Sequence, residues 1–543
     1  MHYLGKKILI RGVNWIGDAV LTTPALKAIR KAFPDACISL LVKPWVAEIF
    51  RENPAPNEII LYEERFNSIS GKFKLARILR AKGFDTAILL QNAFDAALIA
   101  WLSGIPGRIG YNRDYRRLLL TKAVPVKKTE HRAQNTEHRQ KHHVYYYLNL
   151  LKEALNIETT DIEPSLYLAE EEINWARNLL NSKLRTPNSE LLIGVNPGAT
   201  YGSAKRWMPE RFAELIHRII SKLNGRVVLF GSKSEVGIVE EILKAQNTED
   251  EKIRSWEDKK FSTSQPLNLS TSYLLNMVGK TNLRQLAALI SECDAFITND
   301  SGPMHIASAL RVPIVAIFGS TDRTVTGPLG EGHKVIFKDI SCSPCLKREC
   351  PEKHLKCMTE VSTDDVFNAL LKVLPEEKAV FLDRDGTLIE DVDYLDSFSN
   401  LRIFEGVLEN LQRLKNAGFK LIGVTNQSGV ARGLMSEGFV RESNAYLQKT
   451  LGMDDFYYCP HHPDENCQCR KPKSMLLRKA SLTHKIKVKA SYVIGDKTLD
   501  MLLAKVVGAK GILVQTGHDR ESKDADFIAR NLTEAVDWIL TSS

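Results

Sequence analysis

The stretch KAVFLDRDG at residues 378–386 is a short apolar run that ends in two aspartates and a glycine. Two other stretches begin in the same way, KKILIRG at 6–12 and LLIGVNPGA at 191–199. Between them, short apolar runs such as RVVLFG (226–231) and VPIVAIFG (312–319) alternate with amphipathic helical patterns. This alternation is typical of parallel sheets covered by helices on both faces, so we predict an α/β protein with Rossmann-like domains.

The chain length and one polar boundary predict the domain organisation. With 543 residues the chain exceeds the roughly 250–300 residues at which a single core stops growing. The Pro-rich and charged stretch Leu374–Lys378 directly precedes a new strand pattern. We therefore predict three domains, at residues 1–170, 171–373 and 374–543.

Composition and charge narrow the classes of partner. The chain is 44% hydrophobic and 26% charged, as in ordinary globular proteins, and carries a modest net charge of +9. Its basic residues are scattered, apart from a basic and His-rich stretch at 127–143, which favours anionic small molecules or an anionic membrane surface over nucleic acid. That stretch is either a solvated surface or a peripheral membrane contact on the inner face of the inner membrane. The N-terminal residues lack a secretory pattern and no apolar run approaches a membrane span, so we expect a cytoplasmic protein.

The last third carries acidic and phosphate-binding groups at the ends of three predicted strands. Asp383 can attack phosphorus, while Asp385 can protonate the leaving oxygen and later activate water. Such closely spaced acids near a phosphate require a divalent cation, because they otherwise repel the substrate. Further groups follow in order, namely Thr425 and Asn426 for phosphoryl oxygens, Arg470 and Lys471 for positive charge, and Asp496 with Asp500 one turn later.

These motifs together resemble the haloacid dehalogenase superfamily from about Lys378 to the C-terminus. The resemblance implies a haloacid-dehalogenase-like Rossmannoid domain in which Asp383 is the nucleophile and Asp385 the general acid and base. It also implies that Thr425 and Lys471 bind phosphate. Mg²⁺ would be held by Asp383, Asp496 and the backbone carbonyl of Asp385.

A cysteine-rich loop lies between the second and third motifs. Cys459, His461, Cys467 and Cys469 form C-x-H-x5-C-x-C, whose three thiolates and one imidazole match a closed structural zinc site. His462 is left without a role as a ligand. The loop resembles the subgroup that contains heptose bisphosphate phosphatases and histidinol-phosphate phosphatases, and loop length does not separate the two. In that subgroup the zinc is structural.

The opening strand leads into a glycine-bearing turn, RGVNWIGD at 11–18. A nucleotide P-loop needs lysine after its second glycine, whereas here Asp18 would repel phosphates. The glycine spacing of a dinucleotide fingerprint is also missing. Two interpretations remain for Asp18: a base that takes a proton from an acceptor hydroxyl, or a helix N-cap.

The second start predicts an anion site. Pro197-Gly198-Ala199 follows a strand, and the cations of Lys205 and Arg206 precede a helix, an arrangement suited to a diphosphate. A second strand-end turn, NDSGPMH at 299–305, opens another helix. Together with the Asp18 turn, these two turns indicate a cleft between paired Rossmann-like domains.

The motifs IRGVNWIGDAVLTTPAL, PGATYGSAKRW and NDSGPMHIA resemble the ADP-heptose glycosyltransferase family, which has the two-domain B-type fold. The resemblance implies that residues 1–170 face the acceptor and 171–373 bind the nucleotide sugar. It implies transfer of heptose from ADP-heptose to the inner-core heptose of a lipid A-linked acceptor, with Asp18 as base and Lys205 beside the leaving diphosphate. The donor site would be lined by Asp300, Ser301, Gly302 and His305.

Several alternatives stay open on sequence alone. Cys342, Cys345, Cys350 and Cys357 form a second cysteine cluster that fits zinc, free thiols or disulfides. The first half could bind a nucleotide sugar without turnover, and the last third could be an inactive scaffold. The last third could also be a histidinol-phosphate phosphatase joined to a different glycosyltransferase. Heptose 1,7-bisphosphate is favoured as its substrate because both halves would then serve one pathway.

Overall fold

The computed structural model describes residues 6–126, 142–184, 191–257 and 273–542, with side chains described up to 246 in the third range. Most of the basic stretch, residues 127–141, lies outside the described residues. The chain divides into two compact units, Met1–Val373 and Leu374–Ser543. Each unit is considered separately below.

The described residues form three six-stranded sheets, two in the first unit and one in the second. Every strand pairing is parallel, and each sheet has the doubly wound order third, second, first, fourth, fifth, sixth. The strands are β1 Lys7–Arg11, β2 Cys37–Val42, β3 Glu58–Leu61, β4 Thr86–Leu89, β5 Gly107–Tyr111, β6 Lys122–Val124, β7 Leu192–Asn196, β8 Arg226–Leu229, β9 Leu274–Asn276, β10 Ala295–Asn299, β11 Ile314–Ile317, β12 Lys334–Ile336, β13 Ala379–Leu382, β14 Lys420–Asn426, β15 Asp455–Cys459, β16 Tyr492–Gly495, β17 Lys510–Val514 and β18 Phe527–Ala529.

Helices connect most pairs of successive strands, as is usual for parallel pairing. Those of the first unit are Ile16–Leu21, Thr23–Ala32, Pro44–Ala47, Ile69–Lys82, Phe94–Leu102, His143–Leu155, Glu170–Lys183, Pro209–Leu223, Val236–Glu257, Leu283–Ser291, Gly302–Ala309, Arg323–Thr326, Lys356–Thr359 and Thr363–Val373. Those of the second unit are Val407–Asn416, Glu437–Leu451, Met475–His484, Thr498–Val507 and Leu532–Ser542. Among the helices that the structure describes, none is long and apolar enough to cross a lipid bilayer.

The central strands are buried on both faces, which explains their continuous apolar sequences. Every residue of β7, β10 and β13 is buried. Burial of both faces requires helices on both sides of each sheet, so the predicted α/β class with parallel sheets is confirmed.

In each sheet the strand order reverses between the first and fourth strands, and ligands bind at the carboxyl edge of such a switch point. The predicted functional turns lie at these edges. Asp383 follows β13 and Asp496 follows the adjacent β16, while Pro197 follows β7 and Asp300 follows the adjacent β10. The topology therefore brings segments that are distant in sequence together at each edge.

Candidate active sites

Lys471 lies at the centre of the charge network in the second unit. Its Nζ is 2.9 Å from Asp383 Oδ1 and 2.6 Å from Asp500 Oδ1, and it donates to the Val424 carbonyl. All three charged side chains are buried. Burial alone lowers the pKa of the lysine, but the two carboxylates outweigh it and raise that pKa above its ordinary value. Lys471 therefore stays protonated and stabilises negative charge at Asp383.

Asp385 is oriented by groups at the end of the neighbouring strand β14 and by Arg384. Gln427 Nε2 donates to Asp385 Oδ2 over 2.7 Å, and the Thr425 hydroxyl donates to the same oxygen over 3.4 Å. The Arg384 guanidinium contacts both oxygens of Asp385 at 3.0–3.1 Å. Sequence reasoning missed Gln427, although it lies only two residues beyond Thr425, directly after a strand already predicted to end in the site.

Asn426 and Arg470 occupy the same edge with different partners. Asn426 Oδ1 accepts from the Lys471 backbone N–H over 3.0 Å, so this amide holds the backbone of the lysine. Arg470 lines the cavity that also contains Asp383 and Asp385. Its buried Nη1 has no hydrogen-bond partner among the described residues. The Arg470 guanidinium is thus available to an anionic ligand.

The acidic residues beside Asp383 fit a divalent cation. Carboxylate oxygens of Asp383, Asp496 and Asp500 all lie within 4.8 Å of one another. Burial, followed by repulsion from Asp383, raises the pKa of Asp496 to about 6. Asp496 Oδ1 is buried and lacks a hydrogen-bond partner within the described parts of the chain. A hard cation with oxygen ligands, such as Mg²⁺, would satisfy that atom and offset the crowded charge.

Gly386 makes this close approach possible. Its φ is +78°, in the left-handed region, and a Cβ there would lie 2.5 Å from Asp496 Oδ2. The backbone N–H of His518 donates to that same oxygen over 3.0 Å. Sequence reasoning did not single out His518 or Asp391, whose side chains lie 2.9 Å apart near Asp496, because neither belongs to a strand-end motif.

The predicted zinc ligands form one tight cluster. The sulfur atoms of Cys459, Cys467 and Cys469 lie 3.3–3.5 Å from one another, and His461 Nδ1 lies 3.1 Å from Cys469 Sγ. None of the three is in a disulfide. His462 instead accepts a hydrogen bond from the backbone N–H of Asp464, outside the cluster. The donor set and its separations suit a closed tetrahedral site.

In the first unit, Asp18 lies in the first turn of helix Ile16–Leu21. The N-cap is Trp15, without a side-chain cap bond, so Asp18 is not the cap. Asp18 Oδ1 lies 3.9 Å from His143 Nε2, and that ring nitrogen also contacts the Tyr147 hydroxyl at 3.1 Å. Burial raises the pKa of Asp18, while His143 and Lys205 oppose the rise. Sequence reasoning missed His143, because it is distant in the chain and carries no motif.

Lys205 and Asp300 form an ion pair at the carboxyl edge of the second sheet. Lys205 Nζ is 2.6 Å from Asp300 Oδ2, which also accepts from the Thr321 hydroxyl over 2.6 Å. Lys205 also lies over the Tyr201 ring, 4.7 Å from its centroid. The charge of Asp300, which by itself would repel a diphosphate, is therefore neutralised by the predicted phosphate-binding lysine.

The other predicted donor-site residues gather at the start of helix Gly302–Ala309. Ser301 accepts from Asn196 Nδ2 over 3.2 Å. His305 is buried with no partner for Nδ1 among the described groups, and burial lowers its pKa to about 4, so the ring is neutral at neutral pH. A Cβ at Gly17 would lie 2.8 Å from His305 Cδ2, so the Asp18 turn and this helix meet directly.

Arg206, which the sequence predicts to face the diphosphate, contacts the turn that precedes it. Its Nε and Nη2 both lie 3.3 Å from the Ala199 carbonyl, so the guanidinium holds the Pro-Gly-Ala turn. Asn299 supports the same turn by donating to the Pro197 carbonyl over 2.7 Å and accepting from Trp207 N–H. Both side chains therefore position the turn that precedes Lys205.

Comparisons with known proteins find relatives for both units. The family model glycosyltransferase family 9 (heptosyltransferase) matches residues 72–356, more than half of the chain, and a HAD-hydrolase-like model matches residues 468–535. Lipopolysaccharide heptosyltransferase 2 of Escherichia coli K12 is 29% identical over 382 residues, covering 69% of this chain and 100% of that relative. The solved structure of E. coli ADP-heptose LPS heptosyltransferase II superposes with a TM-score of 0.52 at 27% identity, over 68% of this chain and 98% of that one.

The second unit has relatives of its own. D-glycero-beta-D-manno-heptose-1,7-bisphosphate 7-phosphatase of Helicobacter pylori is 36% identical over 173 residues, covering 31% of this chain and 99% of that relative. Fold, sites and matches define the class of protein as a B-type glycosyltransferase fused to a haloacid-dehalogenase-type phosphatase. The chain belongs to glycosyltransferase family 9 (heptosyltransferase) and, through its second unit, to the family of heptose bisphosphate phosphatases.

Proposed function

We propose that the chain is a bifunctional enzyme of lipopolysaccharide core biosynthesis. Residues 1–170 and 171–373 transfer heptose from ADP-L-glycero-D-manno-heptose to the inner-core heptose of a lipid A-linked acceptor. Residues 374–543 remove the 7-phosphate of D-glycero-D-manno-heptose 1,7-bisphosphate. The observation that carries the proposal is that each unit matches a relative almost end to end, and the names of both relatives refer to a heptose.

In the transferase, Asp18 takes the proton of the acceptor hydroxyl as that oxygen attacks the anomeric carbon of the donor. Its raised pKa brings the carboxylate closer to the pH at which a general base is effective. The bond from the anomeric carbon to the diphosphate breaks, and Lys205 stabilises the negative charge of the departing ADP. Neutral His305, Ser301 and Gly302 line the donor side, and Asp300 orients Lys205.

In the phosphatase, Asp383 attacks phosphorus and forms a phospho-aspartyl bond while the bond to the sugar oxygen breaks. Asp385 donates a proton to the leaving oxygen and then accepts one from the water that hydrolyses the intermediate. Lys471, Thr425 and Arg470 bind the phosphoryl oxygens. Asp383, Asp496 and the backbone carbonyl of Asp385 would hold Mg²⁺, whose charge offsets the repulsion between phosphate and acids.

Zinc at Cys459, His461, Cys467 and Cys469 has a structural role in this proposal. The cluster follows β15 and leads directly into Arg470 and Lys471. Fixing this loop therefore fixes the two cations that face the phosphate.

We also propose that the first unit contacts the membrane peripherally, because its acceptor is a lipid. Trp15 is 67% exposed and Trp45 50% exposed, and the Trp45 indole donates to the Asn14 carbonyl beside the Asp18 turn. Indole rings favour the membrane interface. Binding to anionic vesicles that weakens in Trp15→Ser, measured by cosedimentation, supports this contact. Equal sedimentation with and without vesicles contradicts it.

The substrate assignment of the phosphatase is tested by comparing two phosphomonoesters. Phosphate release with Mg²⁺ is measured from D-glycero-D-manno-heptose 1,7-bisphosphate and from histidinol phosphate, with Asp383→Asn as the inactive control. We expect kcat/KM to favour the bisphosphate by orders of magnitude. Preference for histidinol phosphate would replace the heptose assignment with the alternative enzyme.

A further inference from the structure

The second cysteine cluster lies in the first unit, in a segment that lacks regular secondary structure. Residues 337–355 contain no helix or strand. Leu346, Lys353 and Leu355 have positive φ values of 57°, 57° and 48°, which are costly for residues with a Cβ. Cys342, Cys345 and Cys350 are only half-buried, so the segment gains little stability from apolar burial. Hydrogen bonds such as that from Ser343 Oγ to the Gly319 carbonyl hold parts of the segment, and a further cross-link would stabilise the whole.

The structure places four thiols around one small cavity. Cys342, Cys345, Cys350 and the buried Cys357 all line it, and all four are free. His354 lines it as well, with Nε2 3.9 Å from Cys342 Sγ. The sulfur atoms of these four cysteines lie farther from one another than those of the Cys459 cluster. Metal binding would therefore draw them together and contract the cavity.

We infer that Cys342, Cys345, Cys350 and Cys357 form a second metal site. Their four thiolates would bind one Zn²⁺ ion. Four sulfur donors within a short segment suit a closed tetrahedral site. His354 lies where it can donate a hydrogen bond to the thiolate of Cys342 as an outer partner. Binding releases thiol protons and involves no change of oxidation state.

The segment also supports the turn that carries Lys205. The Arg348 carbonyl accepts from Ala204 N–H over 3.0 Å, and the Leu346 carbonyl accepts from the Tyr201 hydroxyl over 3.0 Å. A Cβ at Gly202 would lie 2.1 Å from the Arg348 carbonyl oxygen, so the two segments are in close contact. Because Lys205 follows directly and lies over the Tyr201 ring, the metal would position the lysine indirectly.

The metal content of the full chain tests the site without reference to catalysis. We expect two zinc ions per chain in the unmodified protein and one in each of two variants, Cys342→Ser/Cys345→Ser and Cys467→Ser. Cys37→Ser, which removes an exposed cysteine outside both clusters, should retain two. One zinc in the unmodified protein, lost in Cys467→Ser, would overturn the inference even if the double variant does not fold. A disulfide found among the four thiols would overturn it as well.

ADP affinity tests the link to Lys205, and this readout rests on the proposed transferase function. ADP should bind roughly tenfold more weakly to the Cys342→Ser/Cys345→Ser variant, as when an outer support of a site is removed. Cys37→Ser should bind ADP with unchanged affinity. Zinc loss with unchanged ADP affinity would overturn the link to Lys205. Absence of ADP binding in the unmodified protein would count against the transferase, while the zinc count would still decide the metal site.

Discussion

Single side chains set the charge balance of the phosphatase site. Lys471 is buried between Asp383 and Asp500, and Asp500 has a pKa raised to about 7, mainly by burial. Removing a buried partner leaves uncompensated charge in a medium of low dielectric constant, which costs more than removing an exposed one. We therefore expect the lysine to contribute to stability as well as to its proposed role in phosphate binding.

Lys471→Met should lower the free energy of unfolding of the second unit by about 3–5 kcal/mol at alkaline pH without divalent cations. The loss should shrink as pH falls through about 7, because Asp500 takes up a proton and no longer needs the ammonium group. Thermal unfolding across a pH series measures this effect. Lys479→Met, at an exposed position, is the control. A destabilisation that does not vary with pH contradicts the assigned charge pairing.

The pH dependence of transfer should report Asp18. A base is active only when deprotonated, so a raised pKa moves the acidic loss of kcat/KM to a higher pH than the roughly 3.9 of an ordinary aspartate. His143 opposes that rise, so His143→Gln should move the acidic limb higher still. The pH profiles of the two proteins measure the shift. Superimposable acidic limbs would exclude His143 from this role.

At the scale of elements, the transferase site depends on contact between two helices. Helix Ile16–Leu21 carries Asp18 and meets helix Gly302–Ala309, where His305 lies under Gly17. Gly17 has no need for a positive φ but must lack a Cβ, because a methyl group there would lie 2.8 Å from the His305 ring. The distance between Asp18 and the donor turn therefore depends on the absence of a Cβ at position 17.

Gly17→Ala should lower kcat/KM for transfer by one to two orders of magnitude while phosphate release is unchanged, since a displacement of about 1 Å can cost roughly 10²-fold. Gly237→Ala, at a helical glycine with open space around its Cβ position, should leave transfer intact. Both reactions are assayed on each variant. Normal transfer in Gly17→Ala would show that the helices adjust freely.

The proposed zinc ligands of the loop at residues 459–469 can be tested with two neighbouring histidines, His461 and His462. If zinc is held by Cys459, Cys467 and Cys469 as proposed, His461→Ala should release it and lower phosphatase activity, because the loop leads into Arg470 and Lys471. His462→Ala removes only a hydrogen bond to the Asp464 backbone and should retain the metal. Zinc content and phosphate release are measured on both. Loss of zinc from the two variants alike contradicts the ligand assignment.

The sequence predicts features that depend on order along the chain. Strand ends at Asp383, Thr425 and Asp496 indicate one edge because parallel strands align their carboxyl ends, and the structure brings these residues together there. Gln427, two residues beyond Thr425, could have been predicted in the same way, whereas His143, Asp391 and His518 could not. His143, Asp391 and His518 reach their sites through tertiary folding of segments without a motif. Likewise, the contact of Arg206 with the Ala199 carbonyl depends on a local turn whose path the sequence pattern does not specify.

At the scale of the whole molecule, the chain joins two separately folded enzymes. Each unit has its own sheets and its own set of candidate catalytic residues, with Asp18 in the first and Asp383 in the second. The two proposed reactions are not consecutive, because the phosphatase product is a D-glycero heptose 1-phosphate, whereas the proposed donor is the ADP derivative of the L-glycero epimer. Fusion therefore favours shared expression or location over direct passage of an intermediate, and each reaction should survive loss of the other.

The most direct test of bifunctionality is to assay both reactions on the unmodified chain, Asp18→Asn and Asp383→Asn. Transfer is followed as ADP release with ADP-heptose and the lipid-linked acceptor, and hydrolysis as phosphate release from heptose 1,7-bisphosphate with Mg²⁺. We predict that the unmodified chain catalyses both, that Asp18→Asn loses only transfer, and that Asp383→Asn loses only hydrolysis. Failure of the unmodified, zinc-loaded chain in either reaction, or loss of both through one substitution, would contradict two independent active sites.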